Sequence, residues 1–384
     1  MSDLLVRFGI SPVVNGNGPV TRLSGGIMAP EVAAAMAAAS RVTVDMWELQ
    51  AAACRVIARA TGAEAGIVTS GASAAILLGA AACLAGLDPG RMNRLPEVVD
   101  GKCEFIVVRS QRNMYDRALA VAGGRIVEVG IADRFSGPGV RDADAWEIAD
   151  AITPRTAGIF FLAQPQSLPA LPEVVAVARA AGVPVLVDAA AQLPPAENLR
   201  RFLAEGADLV AFSGGKAIGG PQASGILAGR GDLVASALMQ MLDLDVFPSA
   251  FRAPAEFGVL NQMRGFPHHG VGRSCKVGKE EIFSLLVALE RFAGMDSSAR
   301  RAGWLVMLQG VVDAARLPAG REFLLVDGEV PLLLVTDPDP AGLQARLAAY
   351  VPAIHVRLVD GRLVISPVAL AADGVAVLAA ALSE

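Results

Sequence analysis

Three short segments carry residue types that could do chemistry. In TSGASAA (Thr69–Ala75) an apolar run gives way to an alanine-rich one. Ser70 precedes Gly71 and Ala72, whose backbone N–H groups, opening a helix, would offer unpaired donors and a positive dipole end to a phosphate. An ordinary helix cap is the alternative. In PVLVDAAAQLPP the carboxylate of Asp188 ends a wholly apolar run. Burying a lone charge is costly, so this group is solvated, paired or functional, and a strand-end turn is the plain reading. In ADLVAFSGGKAIGGPQASGI, Lys216 follows an apolar run and two glycines. Partial desolvation would lower its pKa and favour the neutral, nucleophilic amine, although a surface lysine on a glycine loop reads equally well. Two arginines, Arg22 in TRLSGG and Arg273 in GRSCKVGK, have the fork geometry that grips a carboxylate, with ordinary ion pairing as the alternative.

These residues need a scaffold, and the chain alternates in the way that builds one. AGIVTSG, EFIVVRS, AGIFFLA, VPVLVDAAA and ADLVAFSGG read as short apolar strands, with helical stretches between them. Strands apolar on both faces, separated by helices, predict an α/β fold with a mainly parallel sheet covered on both sides. Each of the three segments falls at the carboxyl end of a strand, the edge where open α/β sheets bind ligands. Residues 1–45 read as an N-terminal segment and arm, 46–250 as the large domain, and 251–384 as a small α+β domain with a linker helix. The boundary is expected near Asp245–Pro254.

Composition narrows the function classes. The chain has 384 residues, 53% hydrophobic and 18% charged, enough apolar material for a sizeable core. Lys+Arg 33 against Asp+Glu 38, without a basic block, argues against nucleic acid as a partner. The longest apolar run, Ala74 to Leu87, is shorter than a membrane span, and MSDLLVRFGI does not read as a signal peptide, so a soluble cytoplasmic protein is expected. Four scattered cysteines read as reduced core thiols, and three histidines are thin material for a metal site, so no metal is expected.

An anion turn, a strand-end aspartate and a lysine 28 positions after it follow the order found in fold-type I pyridoxal phosphate enzymes. The stretches NGNGPVTRLSGG, TGAEAGIVTSGASAAILLGAAACLAG, QRNMYDRALAVAGG, VLVDAAAQLPPAENLRRFLAEGADLVAFSGGKAIGGPQASGILAGR and GRSCKVGKEEI resemble the selenocysteine synthase-like group of these enzymes. The lysine motif is similar to that of the L-seryl-tRNA(Sec) selenium transferase. The remainder looks closer to the D-glucosaminate-6-phosphate ammonia-lyase type, and the tRNA-binding N-terminal extension of the bacterial selenium transferase is expected to be absent. The resemblance implies an aspartate aminotransferase-like fold with pyridoxal 5′-phosphate as cofactor. Lys216 would hold it as a Schiff base and Asp188 would keep the pyridine nitrogen protonated. The Ser70–Ala72 turn and Ser213 would hold the phosphate, and Gln111 would lie over the ring. It further implies α,β-elimination on a β-hydroxy or β-substituted amino acid by a homodimer or higher homo-oligomer. Racemase, aldolase, aminotransferase and selenium transferase chemistry remain alternatives, as does a binding protein that has lost turnover.

Three departures from the group point to an altered substrate. Gln111 stands in SQRN where the group carries His, and Gly219 where ammonia-lyase relatives carry Arg. Trp47 replaces a smaller or acidic residue. Tyr115 is expected to pack in the core, and Asp116 and Arg117 to be solvated.

Overall fold

The structure, a computed structural model, describes residues 3–99, 101–131, 142–247 and 249–384. The first strand, β1 (Val13–Asn15), belongs to the smaller of two compact units. The larger unit, Pro30–Gly214 with Ala223–Ala293, is built on seven strands. These are β2 (Ala65–Thr69), β3 (Glu104–Val108), β4 (Arg125–Val129), β5 (Thr156–Leu162), β6 (Val185–Asp188), β7 (Leu209–Ser213) and β8 (Gly225–Gly229), ordered β2-β8-β7-β6-β5-β3-β4. All neighbouring pairs are parallel except those of β8, which runs antiparallel to both β2 and β7. The expected α/β architecture is therefore present, with β8 as an addition that its glycine-rich sequence hid.

The strands of this sheet are apolar on both sides because helices cover both. Residues of β2, β3, β6 and β8 are buried throughout, and the Ala72–Ala85 helix is buried along almost its whole length. An all-round apolar helix of this kind belongs in a core. The edge strand β2 is protected by a side chain from the Met46–Thr61 helix: fully buried Gln50 donates to the Val68 carbonyl (2.9 Å) and accepts the Val68 N–H (3.0 Å). Its amide thus stands in for a missing strand partner.

The smaller unit comprises Met1–Ala29, Gly215–Gln222 and Gly294–Glu384. It holds β9 (Glu322–Val326), β10 (Leu332–Thr336), β11 (Ala353–His355), β12 (Arg357–Val359) and β13 (Arg362–Ile365). An antiparallel sheet runs β12-β13-β10-β9, while β11 pairs in parallel with β1. Its core gathers Val14, Leu308, Leu333, Ile354, Leu363 and Leu378. These units depart from the sequence boundaries in three ways, the first being that residues 1–45 are split, with Met1–Ala29 in the smaller unit and the rest in the larger. Residues 251–293 sort with the larger unit because Phe257, Leu260, Ile282, Leu285 and Leu289 are buried there. The lysine loop sorts with the smaller unit, where the Gln222 amide donates to the Thr21 carbonyl (2.9 Å). Of the two prolines that suggested a boundary, Pro248 lies outside the described residues. Among the described residues, no helix is long and apolar enough to cross a membrane.

Candidate active site

Strands β2, β6 and β7 run the same way, so Thr69, Asp188 and Ser213 end at one edge of the sheet. Gly225 of β8 is in register with both Thr69 and Ser213. Two strand spacings therefore separate those two residues, roughly 10 Å. Asp188 lies opposite Ala211 of β7 on one side and Leu162 of β5 on the other.

The turn after β2 has the features an anion requires. Gly71 adopts φ 129° and ψ 166°, caps the Ala72–Ala85 helix without a side-chain hydrogen bond, and faces open space where a Cβ would sit. The first N–H groups of this helix thus lack a side-chain cap, and a bound anion would supply what the cap does not. The Ser70 hydroxyl donates to the Cys275 carbonyl (2.9 Å), tying the turn to the segment that carries Arg273. Gly225 is what lets the turn close over β8. A Cβ there would stand 2.4 Å from the Gly71 carbonyl carbon and 2.7 Å from the Ala72 nitrogen. Sequence reasoning passed over Gly225 and the Cys275 carbonyl; a lone glycine opening an apolar strand was the available signal.

Asp188 is 4% exposed, and one carboxylate oxygen accepts the Ala190 N–H (3.0 Å). The strand-end turn is therefore real, and it fixes the carboxylate at the edge. Gln111, 2% exposed, accepts the Leu162 N–H through Oε1 (3.1 Å) and donates to the Leu168 carbonyl through Nε2 (3.3 Å). The amide is braced at both ends beside the row that carries Asp188. Ser213 is half-buried.

Lys216 stands three residues past β7, in a loop pinched at its base by the Gly214 N–H donating to the Ser224 carbonyl (2.9 Å). Within the loop the Gly219 N–H returns to the Lys216 carbonyl (3.0 Å), and Gly219 adopts φ 77°. An arginine at 219 would be strained in that conformation, which accounts for glycine here. Lys216 is half-buried and Ile218 is buried.

The two arginines fare differently. Arg273 donates to Asp243 (3.1 Å), the ordinary ion-pair reading. Arg22 is exposed and has no carboxylate partner among the described residues. Two expectations are corrected. Tyr115 is 54% exposed, because its N–H is held by the Asn113 side chain (2.7 Å) in a surface turn. Asp116 is buried, not solvated, since Arg112 and the Asn113 N–H (3.1 Å) take up its carboxylate. Trp47 is buried edge-on to Phe251, with ring centroids 4.9 Å apart.

Residues 48–245 match the SelA family, L-seryl-tRNA selenium transferase. A 5'-C-glycyluridine monooxygenase-decarboxylase of Streptomyces sp is 33% identical over 96% of this chain and 88% of its own length. The chain belongs to the SelA family. A D-glucosaminate-6-phosphate ammonia lyase of Salmonella typhimurium is 30% identical over 76% of this chain and 70% of its own. The solved structure of a D-glucosaminate-6-phosphate ammonia-lyase superposes with a TM-score of 0.82 at 27% identity, covering 100% of this chain and 98% of the other. The resemblance to the ammonia-lyase branch is thus borne out, whereas likeness to a monooxygenase-decarboxylase was not foreseen. This SelA family member is a pyridoxal phosphate-dependent enzyme. Its residues fit that cofactor: the helix after Gly71 opens without a side-chain cap, a Cβ on Gly71 would meet nothing within 4 Å, and a buried carboxylate ends β6 on the same edge.

Proposed function

We propose that the chain is a lyase that eliminates ammonia from a β-hydroxy or otherwise β-substituted amino acid. The whole-chain likeness to an ammonia-lyase structure is the observation that carries this reading. When bound, pyridoxal phosphate supplies an electron sink for the bond broken at Cα. In this reading the N–H groups of Gly71 and Ala72, with Ser213, hold its phosphate, and the Asp188 carboxylate accepts the proton of its ring nitrogen. The Lys216 amine would hold its aldehyde. The same amine would take the Cα proton and give it to the departing hydroxyl. One group serves as base and then as acid, which a single lysine can do because it alternates between bound and free states. Arg22 takes the substrate carboxylate. The net change is a β-hydroxy amino acid to a 2-oxo acid and ammonia, with one water lost and one regained. The reading includes a cytoplasmic homodimer or higher homo-oligomer and no nucleic-acid partner.

The 33% identity to a monooxygenase-decarboxylase over 96% of the chain favours one second reading, in which the Cα–carboxylate bond breaks and dioxygen is consumed. Product analysis with and without oxygen separates the two. Ammonia and a 2-oxo acid formed anaerobically support elimination; carbon dioxide released only in air supports the alternative. Borohydride reduction followed by peptide mapping tests the lysine, and a cofactor label anywhere but Lys216 would overturn its assignment.

A further inference from the structure

Arg22 has a basic neighbour that elimination does not use. Strand β1 lies parallel to β11 with Asn15 opposite His355, and the Gly16 N–H donates to the His355 carbonyl (2.9 Å). The Ser366 N–H donates in turn to the Gly16 carbonyl (2.8 Å). Buried Asn15 folds the following loop back on itself: its Nδ2 donates to the carbonyls of Gly18 (3.0 Å) and Gly25 (3.3 Å), and its Oδ1 accepts the Asn17 N–H (3.0 Å). Arg22 rides in the single turn Thr21–Leu23 of this loop, so the guanidinium is carried by a segment stapled to the strand of His355.

The charges in this corner are unbalanced. Burial, and then the Arg22 charge, push the half-buried His355 imidazole below its ordinary value of 6.5. The elements packed on β11 are β1 and the Pro340–Ala349 helix; the latter's Arg346 faces Asp339 at 3.9 Å, and neither of these acts on His355. Among the described residues no carboxylate offsets His355 or pairs with Arg22. An anion placed between two such basic groups would favour the protonated imidazole, as a nearby opposite charge does.

We infer that Arg22 and His355 form a two-point clamp for an oxyanion, the substrate carboxylate, and that His355 takes up a proton from solvent as the anion binds. This rests on the reading of Arg22 as carboxylate holder and deepens it by making the clamp proton-coupled. Reciprocity follows: each unit by which the anion raises the His355 pKa is a tenfold gain in anion affinity on protonation.

The test uses holoenzyme with ring-labelled histidine, acetate as the carboxylate probe and inorganic phosphate as the rival oxyanion. The His355 resonance, assigned from His355→Asn, is titrated with and without each anion. Acetate should raise its pKa, and acetate affinity should grow as the pH falls from 8 to 5.5 in the wild type but stay flat in His355→Asn. In Arg22→Gln the response to acetate should vanish while the anion-free His355 pKa rises, a change that mere misfolding would not give. A resonance indifferent to acetate, or one equally responsive in Arg22→Gln, overturns the clamp. A response to phosphate alone overturns the carboxylate assignment. Turnover is scored separately: elimination beside an indifferent His355 sinks the clamp and spares the lyase reading, and the reverse pattern does the opposite.

Discussion

Replacing Gly225 by Ala tests whether the turn after β2 holds the cofactor's phosphate. The new Cβ would stand 2.4 Å from the Gly71 carbonyl carbon, 2.7 Å from the Ala72 nitrogen and 2.8 Å from the Gly71 oxygen. Unstrained carbon contacts lie near 3.5–4.0 Å, so this peptide must retreat by about 1 Å. Both neighbours are backbone, and no flexible side-chain tip can absorb the overlap. Overpacking of this kind costs about 1–3 kcal/mol. If that strain falls on the anion-binding arrangement, cofactor affinity should drop by about 5- to 150-fold, since each 1.4 kcal/mol is a factor of ten. Titration of the apoenzyme with pyridoxal phosphate, followed by absorbance, reads the affinity, and far-UV circular dichroism checks that the variant is folded. Gly71→Ala is a useful companion: its Cβ meets nothing within 4 Å, but φ 129° is a conformation that costs a non-glycine residue about 1–3 kcal/mol. Wild-type cofactor affinity in a folded Gly225→Ala enzyme with a lowered thermal midpoint would refute the placement of the phosphate at this turn.

Two further predictions concern the smaller unit. Arg321 donates to Asp337 at 2.7 Å with side-chain exposures of 4% and 7%, so Asp337→Asn should cost about 3–5 kcal/mol at neutral pH. Burial pushes the Asp337 carboxyl up, but hydrogen bonds from Arg321 and the Asp339 N–H outweigh it and hold the group below its ordinary 3.8. A depressed carboxylate pKa stabilises above the unfolded value and is lost as the pH falls through the folded one. The denaturation gap between wild type and variant should therefore be full at pH 7 and close below 3.8; a gap independent of pH would contradict the ion pair. Gly303 is exposed within the Ser297–Ala314 helix and has no neighbour within 4 Å of a Cβ. Gly303→Ala should stabilise by about 0.5–1 kcal/mol, raising the thermal midpoint by about 1–3 °C, and a lowered midpoint would contradict the helix assignment there.

The large sheet was legible because its strands are short, doubly apolar and punctuated by helices. What escaped the sequence was structure whose signal is not periodic. The Ser297–Ala314 helix buries only Leu308 and Val311, so its apolar face is too thin to register. The Ala372–Leu382 helix is apolar all round and resembles a strand in pattern. Strand β1 takes its partner from residues 353–355, a pairing no local window can reveal. At the site, residue types and order pointed to Asp188, which ends a strand, to the turn at Gly71, which opens a helix, and to Lys216, which follows an apolar strand by three residues. Ser70 was legible as a type but not as a contact, because its acceptor, the Cys275 carbonyl, lies 205 residues away. Asp116 was misjudged for the same reason: a carboxylate looks solvated until Arg112 and the Asn113 N–H are folded around it.

The amide at Gln111 has the larger chemical consequence. Its oxygen and nitrogen are taken up by the Leu162 N–H and the Leu168 carbonyl, so the side chain braces the β5 edge and the loop after it. A neutral imidazole could make the same two bonds, but protonation would turn its acceptor nitrogen into a second donor against the Leu162 N–H. An amide cannot change protonation state, so the brace holds at every pH and no proton passes through it. Of Ser70, Gln111, Asp188 and Ser213, the residues at this edge, only Asp188 carries an ionisable carboxyl, and in the proposed reaction its role is fixed by the cofactor's ring nitrogen. The Cα proton and the proton for the departing hydroxyl then both fall to Lys216. The substitution of an amide for an imidazole thus narrows the lyase reading to a single proton carrier.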